Sequence, residues 1–195
     1  MERNKPATEA AEYLHNKYRQ DFVCRSAMYP GIDIPYEEYV FSPALSPETY
    51  LTVRRNGTVF SDSYYGVLIS QSYRRKLEET IGGVFSFVKC YFTFRSAAFP
   101  DSLTDPETME DALKQYPDSF YSDILLIVPE TESVDPERKT VLRERMQKAN
   151  LSGIVSIYAL SEQQIKDCGE TDCLAFLLRN PRISAIDTVQ VNQEV

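Results

Sequence analysis

Residues 123–160 read DILLIVPETESVDPERKTVLRERMQKANLSGIVSIYAL, and this stretch decides the fold class. ILLIV has no polar alternation, which marks a strand covered on both faces. Asp135-Pro136-Glu137 then starts a helix that runs to about 149. The aspartate caps the first N–H groups, the proline ring already holds a helical φ, and the glutamate places negative charge at the positive end of the dipole. GIVSIYAL at 153–160 is a second strand. Strand, helix and strand at this spacing make a βαβ unit.

The same rhythm extends outward. FSFVKCYFTF (85–94) reads as a further strand, and Asp105-Pro106-Glu107 opens a helix to about 115, so the second half is compatible with a βαβαβ segment. Ser161-x-x-Gln164 has the form of a capping box. CLAFLLR (173–179) reads as a short apolar helix and 183–191 as a last strand.

The first half has a different texture. Residues 6–19 read as an amphipathic helix whose stripe is Ala7, Ala11, Leu14 and Tyr18, with His15 at its boundary. A strand follows at 21–28. YPGIDIPYEEYVFSPALSPE (29–48) carries four prolines and reads as an irregular loop with a short edge strand at 37–41. Asn56-Gly57 between YLTVRR and TVFS predicts a two-residue type I′ hairpin, with Val53 opposite Phe60 and Arg54 opposite Val59. Asp62 caps a helix over 63–81 with the stripe Tyr65, Ile69, Tyr73, Leu77 and Ile81, and Gly82-Gly83 ends it with left-handed geometry. The expectation is a mixed α/β or α+β protein: a single mixed sheet with packed helices, one domain over 1–195, and loose halves 1–96 and 97–195.

Composition removes several chemistries. The 195 residues include one histidine, no tryptophan and seven glycines. No phosphate-cradling glycine loop fits, because Gly82-Gly83 follows a helix rather than preceding one. A lone imidazole disfavours catalytic triads and histidine metal sites. The net charge of −8 disfavours nucleic acid and anionic lipid. Residues 101–137 hold eleven acidic residues against one lysine, Lys114, a pattern of solvated surface that lacks an EF-hand spacing. No apolar run reaches the ~18–20 residues of a membrane span. The opening MERNKPATEAAEYL reads as a polar stub leading into a helix, a form shared by a domain cut away from a membrane anchor and by a cytosolic protein. No cofactor and no metal are expected.

Of the four cysteines, Cys24 and Cys90 lie in apolar runs and read as small buried hydrophobes. Cys168 and Cys173 flank GETD and suit a short-loop disulfide in an oxidising compartment.

Two candidate sites follow. Ligands of open α/β sheets bind beyond the carboxyl ends of parallel strands. That edge would gather Arg95 with Glu130, Glu132 and Ser161, a set suited to a cationic or zwitterionic small molecule or to carboxylate acid–base work. The tyrosines near loops and helix starts, Tyr36, Tyr39 and Tyr64 foremost, suit an interaction surface, because each offers an apolar body with a polar tip.

The opening helix AAEYLHNKYRQDF and the element VRRNGTVFSDSYYGVLI resemble uncharacterised extracytoplasmic, lipoprotein-type domains of Gram-positive bacteria, which carry an xxYLxxKY helix after an anchor and a D/NGxVxDxYY turn-to-helix element. The resemblance spans roughly residues 9–70 and implies an extracytoplasmic location, with no activity attached. The leading expectation is a non-enzymatic interaction module that binds a protein or cell-surface partner. A small-molecule binder or carboxylate-based hydrolase, and a cytosolic scaffolding or regulatory protein, are the alternatives.

Overall fold

The structure, a computed structural model, describes residues 5–31, 35–87, 89–96, 98–168, 173–180, 182, 183 and 185–192. Two compact units emerge: residues 1–70 with 96–112, and residues 71–95 with 113–195. Each has its own four-stranded sheet. The mixed class expected from the sequence is the class observed, but the single sheet is two. The boundary is also not one cut at residue 96, since the chain returns to the first unit for 96–112.

In the first unit, helix α1 (Lys5–Tyr18) precedes strands β1 (Phe22–Met28), β2 (Glu37–Pro43), β3 (Leu51–Asn56) and β4 (Val59–Asp62). They form an antiparallel sheet in the order β1-β2-β3-β4. β2 is therefore an inner strand, not the edge strand expected. Pro43 sits at its last position, away from the inner ladder. Its Tyr39 and Phe41 join Leu51, Val53 and Tyr64 in a core closed by Ala10 and Leu14 of α1. Burying Leu14 alone contributes about 2 kcal/mol. The α1 stripe is turned by one residue from expectation. Ala10 and Leu14 are fully buried, while Ala7, Ala11 and Tyr18 flank the core.

The hairpin turn lies one residue later than expected, which shifts the pairing register by two. Asn56 pairs with Val59, Arg55 with Phe60 and Val53 with Asp62, so the loop is Gly57-Thr58. Gly57 has φ +63 and Thr58 has no positive φ, the sign pattern of a type II′ turn with glycine first. A slip of two keeps every side chain on its expected face but sets Asp62 opposite buried Val53.

Helix α2 (Tyr64–Gly82) begins in the first unit and ends in the second. It stops at the expected glycine pair, but neither glycine takes a positive φ.

In the second unit, β5 (Lys89–Phe94), β6 (Ser122–Pro129), β7 (Gly153–Leu160) and β8 (Asp187–Val191) are adjacent in that order. Only β6 and β7 run parallel, joined by α4 (Pro136–Lys148) as the sequence implies. β5 is antiparallel to β6, so there is one βαβ unit, not a βαβαβ run. The chain between β5 and β6 passes through the first unit for residues 96–112 and carries the short α3 (Met109–Gln115) beside two 3-10 turns. Asp135 caps α4 by accepting from the Arg138 N–H at 2.9 Å. Gly153 has φ +156, and a Cβ there would stand 2.1 Å from the Ser122 carbonyl oxygen. α5 (Glu162–Cys168) and α6 (Cys173–Arg179) follow β7. Leu177 packs with Ile127 and Leu160 on the sheet face opposite buried Ile124, Leu126 and Val128.

Candidate functional site

The parallel pair β6–β7 brings two strand ends together, as expected. Pro129 pairs with Leu160, and the Glu130 N–H donates to the Leu160 carbonyl at 3.0 Å. A hollow of about 380 Å³ opens here, and Glu130 and Ser161 both line it. Ser161 is engaged in the expected capping box. Its N–H donates to Gln164 Oε1 at 2.9 Å, and its Oγ accepts from the Gln164 N–H at 3.3 Å. Glu132 is ion-paired with Arg138 instead of joining the hollow. Arg95 stands elsewhere. Because β5 is antiparallel, the residue after it lies beside the start of β6, where Phe94 pairs with Ser122. There the guanidinium grips both oxygens of Asp123 at 2.7–3.0 Å and lies over the Tyr121 ring. The expected four-residue cleft is thus divided between opposite ends of the second sheet, and a joint role for Arg95 with Glu130 loses its geometry.

The tyrosine surface also divides. Tyr39 is fully buried on β2, its hydroxyl donating to Glu37. Tyr64 is buried at the start of α2 and accepts from Gln20 Nε2 at 2.7 Å. Tyr36 alone of the three is partly exposed, under the Arg54 guanidinium. The proline-rich stretch reads as a loop, yet it contains an inner strand, and that strand carries Tyr39 into the core.

The most concentrated polar geometry was not foreseen. Asp62 is fully buried at the end of β4. Its Oδ1 accepts from the Tyr18 hydroxyl at 2.7 Å and from the Tyr64 N–H at 2.9 Å. Its Oδ2 accepts from the Tyr13 hydroxyl and from Lys17 Nζ, each at 2.8 Å. Asp101, on the returning segment, accepts from Tyr13 at 2.7 Å and from Lys17 at 3.3 Å. Phe99 bridges to the Asp62 backbone nearby. Burial, followed by the Asp62 charge, pushes both phenols well above the usual tyrosine range. The lysine charge is matched and every Asp62 oxygen is occupied, so this cluster fastens α1 to the hairpin and leaves no lone pair aimed at a substrate.

The open part of the first unit is the margin formed by α1 and β1. Six of the seven β1 residues are exposed. Among the described residues, no strand pairs with the far side of β1. Between the strand and the helix runs a groove with two lobes. The first, about 450 Å³, is lined among others by Thr8, Ala11, Cys24, Arg25, Tyr29 and Phe41. The second, about 260 Å³, shares Thr8 and Ala11 and adds Glu12, His15 and Asp21. His15 Nδ1 lies 3.0 Å from Asp21 Oδ1. The sequence reading missed this groove because Ala7 and Ala11 were assigned to the core stripe.

Cys24 is exposed here, contrary to the expectation of burial, because β1 is a sheet margin. Cys90 is buried as expected, and burial pushes its thiol up to about 12. The side chains of Cys168 and Cys173, and hence the proposed disulfide, lie outside the described residues. Among the described residues, no three His, Cys, Asp or Glu side chains are grouped as metal ligands. No described helix is long and apolar enough to cross a membrane.

No family model matches the chain, and no curated protein matches it significantly. Among solved structures, a DUF5037 family protein from Ruminococcus gnavus is similar at 14% identity, with a TM-score of 0.45, over 84% of this chain and 78% of that one.

Proposed function

We propose that the protein is a non-enzymatic interaction module, displayed outside the cytoplasmic membrane, that binds a protein partner through the α1–β1 margin of its first unit. The observation that carries this reading is the exposure of β1 beside a two-lobed groove. A strand with one side unpaired among the described residues offers backbone donors and acceptors that an extended segment can meet. The polar clusters support the same reading, since Asp62 and Ser161 are committed to internal partners. The resemblance of residues 9–70 to lipoprotein-type domains supports the location.

The binding test is selection of a displayed library of random linear peptides against the full chain. Recovery of peptides that bind the native protein and lose binding to Thr8→Trp, which fills the groove from an exposed helix position, supports the reading. A library that yields no Thr8→Trp-sensitive peptide defeats it. Fractionation of source cells with an antibody tests the location, and recovery in the cytosol would reject it.

A further inference from the structure

We infer that Asn56 is a modification site: in the folded protein its side-chain amide is lost to ring closure by the Gly57 nitrogen, and the isoaspartate that results loosens the β3–β4 hairpin. The inference is independent of the binding reading.

The first argument is chemical. An asparagine side chain and the next backbone nitrogen can close a five-membered ring. A side chain on the following residue crowds that closure, and glycine has none. The chain has six asparagines, at 4, 16, 56, 150, 180 and 192, and only Asn56 precedes a glycine. Asn4 and Asn16 precede lysine, Asn150 leucine and Asn192 glutamine. Asn180 precedes proline, which has no N–H to lose.

The second argument is the turn. Asn56 and Val59 form the last rung of β3–β4, so the Gly57 N–H lies inside the two-residue loop and outside the ladder. Both Asn56 and Gly57 are exposed. A Cβ built on Gly57 would meet nothing within 4 Å, so the loop has room to turn its nitrogen toward the Asn56 side chain.

The step uses only water and hydroxide. Hydroxide takes the Gly57 amide proton, and the nitrogen attacks the Asn56 Cγ. The bond from Cγ to the side-chain nitrogen breaks, and that nitrogen leaves as ammonia after taking a proton from water. Water then opens one of the two carbonyls of the succinimide. One opening gives aspartate and the other isoaspartate. One water is consumed overall, one ammonia is released, a carboxylate is gained, and no electrons change hands.

The two products differ in what they do to the hairpin. Aspartate keeps the backbone. Isoaspartate routes the chain through the former side chain and adds a methylene ahead of Gly57. Arg55 anchors this loop, since its Nε donates to the Gly57 carbonyl at 2.9 Å. The same guanidinium pairs with Glu9 of α1 at 3.0 Å and with Glu37 of β2 at 3.4 Å. The added methylene displaces Gly57 from that arginine and spoils the Asn56–Val59 rung.

The test is storage of the full native chain at mildly alkaline pH and body temperature for several weeks, followed by peptide mapping. A gain of about 1 Da is expected at Asn56 before any other asparagine, with isoaspartate in excess of aspartate. Gly57→Ala should slow the gain at least about tenfold, because its methyl crowds the ring closure. Asn56→Gln should abolish it, since the ring would need another member. Anion exchange separates the aged forms. The isoaspartate form should have a lower urea midpoint than Asn56→Asp, which carries the same charge on an unaltered backbone. No gain at residue 56 in folded protein, an earlier gain at another asparagine, a rate unchanged by Gly57→Ala, or an isoaspartate form as stable as Asn56→Asp overturns the inference.

Discussion

Lys17 Nζ lies 2.8 Å from Asp62 Oδ2, and the two side chains are 5% and 0% exposed. The pair joins the last turn of α1 to the end of β4. An ion pair this deep is stable only while both members remain, because removing one leaves an unmatched charge in a poorly solvated place. Asp62→Ala also strips the acceptor from the Tyr18 hydroxyl and the Tyr64 N–H, and one of two from the Tyr13 hydroxyl. Its expected cost is about 3–5 kcal/mol, read by urea denaturation with circular dichroism. Asp101→Ala, whose side chain is 68% exposed, should cost under about 1 kcal/mol.

Alkaline pH should unfold the protein through its tyrosines. Burial first, and the Asp62 charge second, raise the Tyr13 and Tyr18 phenols, and burial pushes Tyr73 up to about 12. A folded-state value above the unfolded one means that the stabilisation is complete below the unfolded value of about 10 and is lost as pH rises through the folded value. Stability from this source should be flat below that point and fall above it. Phenolate absorbance should rise in two stages, exposed tyrosines first and the buried ones together with loss of structure. A single smooth titration of all tyrosines in the folded state would contradict this.

Gly153 should not tolerate alanine. The new Cβ would meet the Ser122 carbonyl oxygen, and φ +156 is strained for an L side chain. The expected loss is about 2 kcal/mol or more, measured by denaturant midpoint. Gly57→Ala has open space around the new methyl and strains φ alone, so about 1 kcal/mol is expected.

Cysteine accessibility separates β1 from β5. In native protein, Cys24→Ser should remove one reactive thiol from a colorimetric titration. Cys90→Ser should remove none until denaturant is added, because Cys90 is buried. Equal reactivity of the two in the folded state would mean that β1 is covered or β5 is open.

The second unit was the more legible part of the chain. Its helix starts carry local chemistry, and Asp135 and Ser161 cap as the sequence implies. Strand direction was not legible at β5, because it depends on what the intervening chain packs against. The hairpin turn lies one residue beyond its expected place, since Asn-Gly suggests one turn type and glycine in first position satisfies another. Asp62 was recognised as a helix cap, but its burial was not, because Tyr13, Lys17 and Tyr18 reach it from 44 to 49 positions away. The candidate groove was hidden for a similar reason. Alanines on one helix face look alike whether they fill a core or leave room beside it.

The bridge between Asp62 and Phe99 has a further consequence for assembly. A β-layer able to recruit strands on both flanks can propagate into a fibre. This one meets its own chain at the β4 flank, so edge-to-edge joining of identical sheets can go no further than a β1-to-β1 pair.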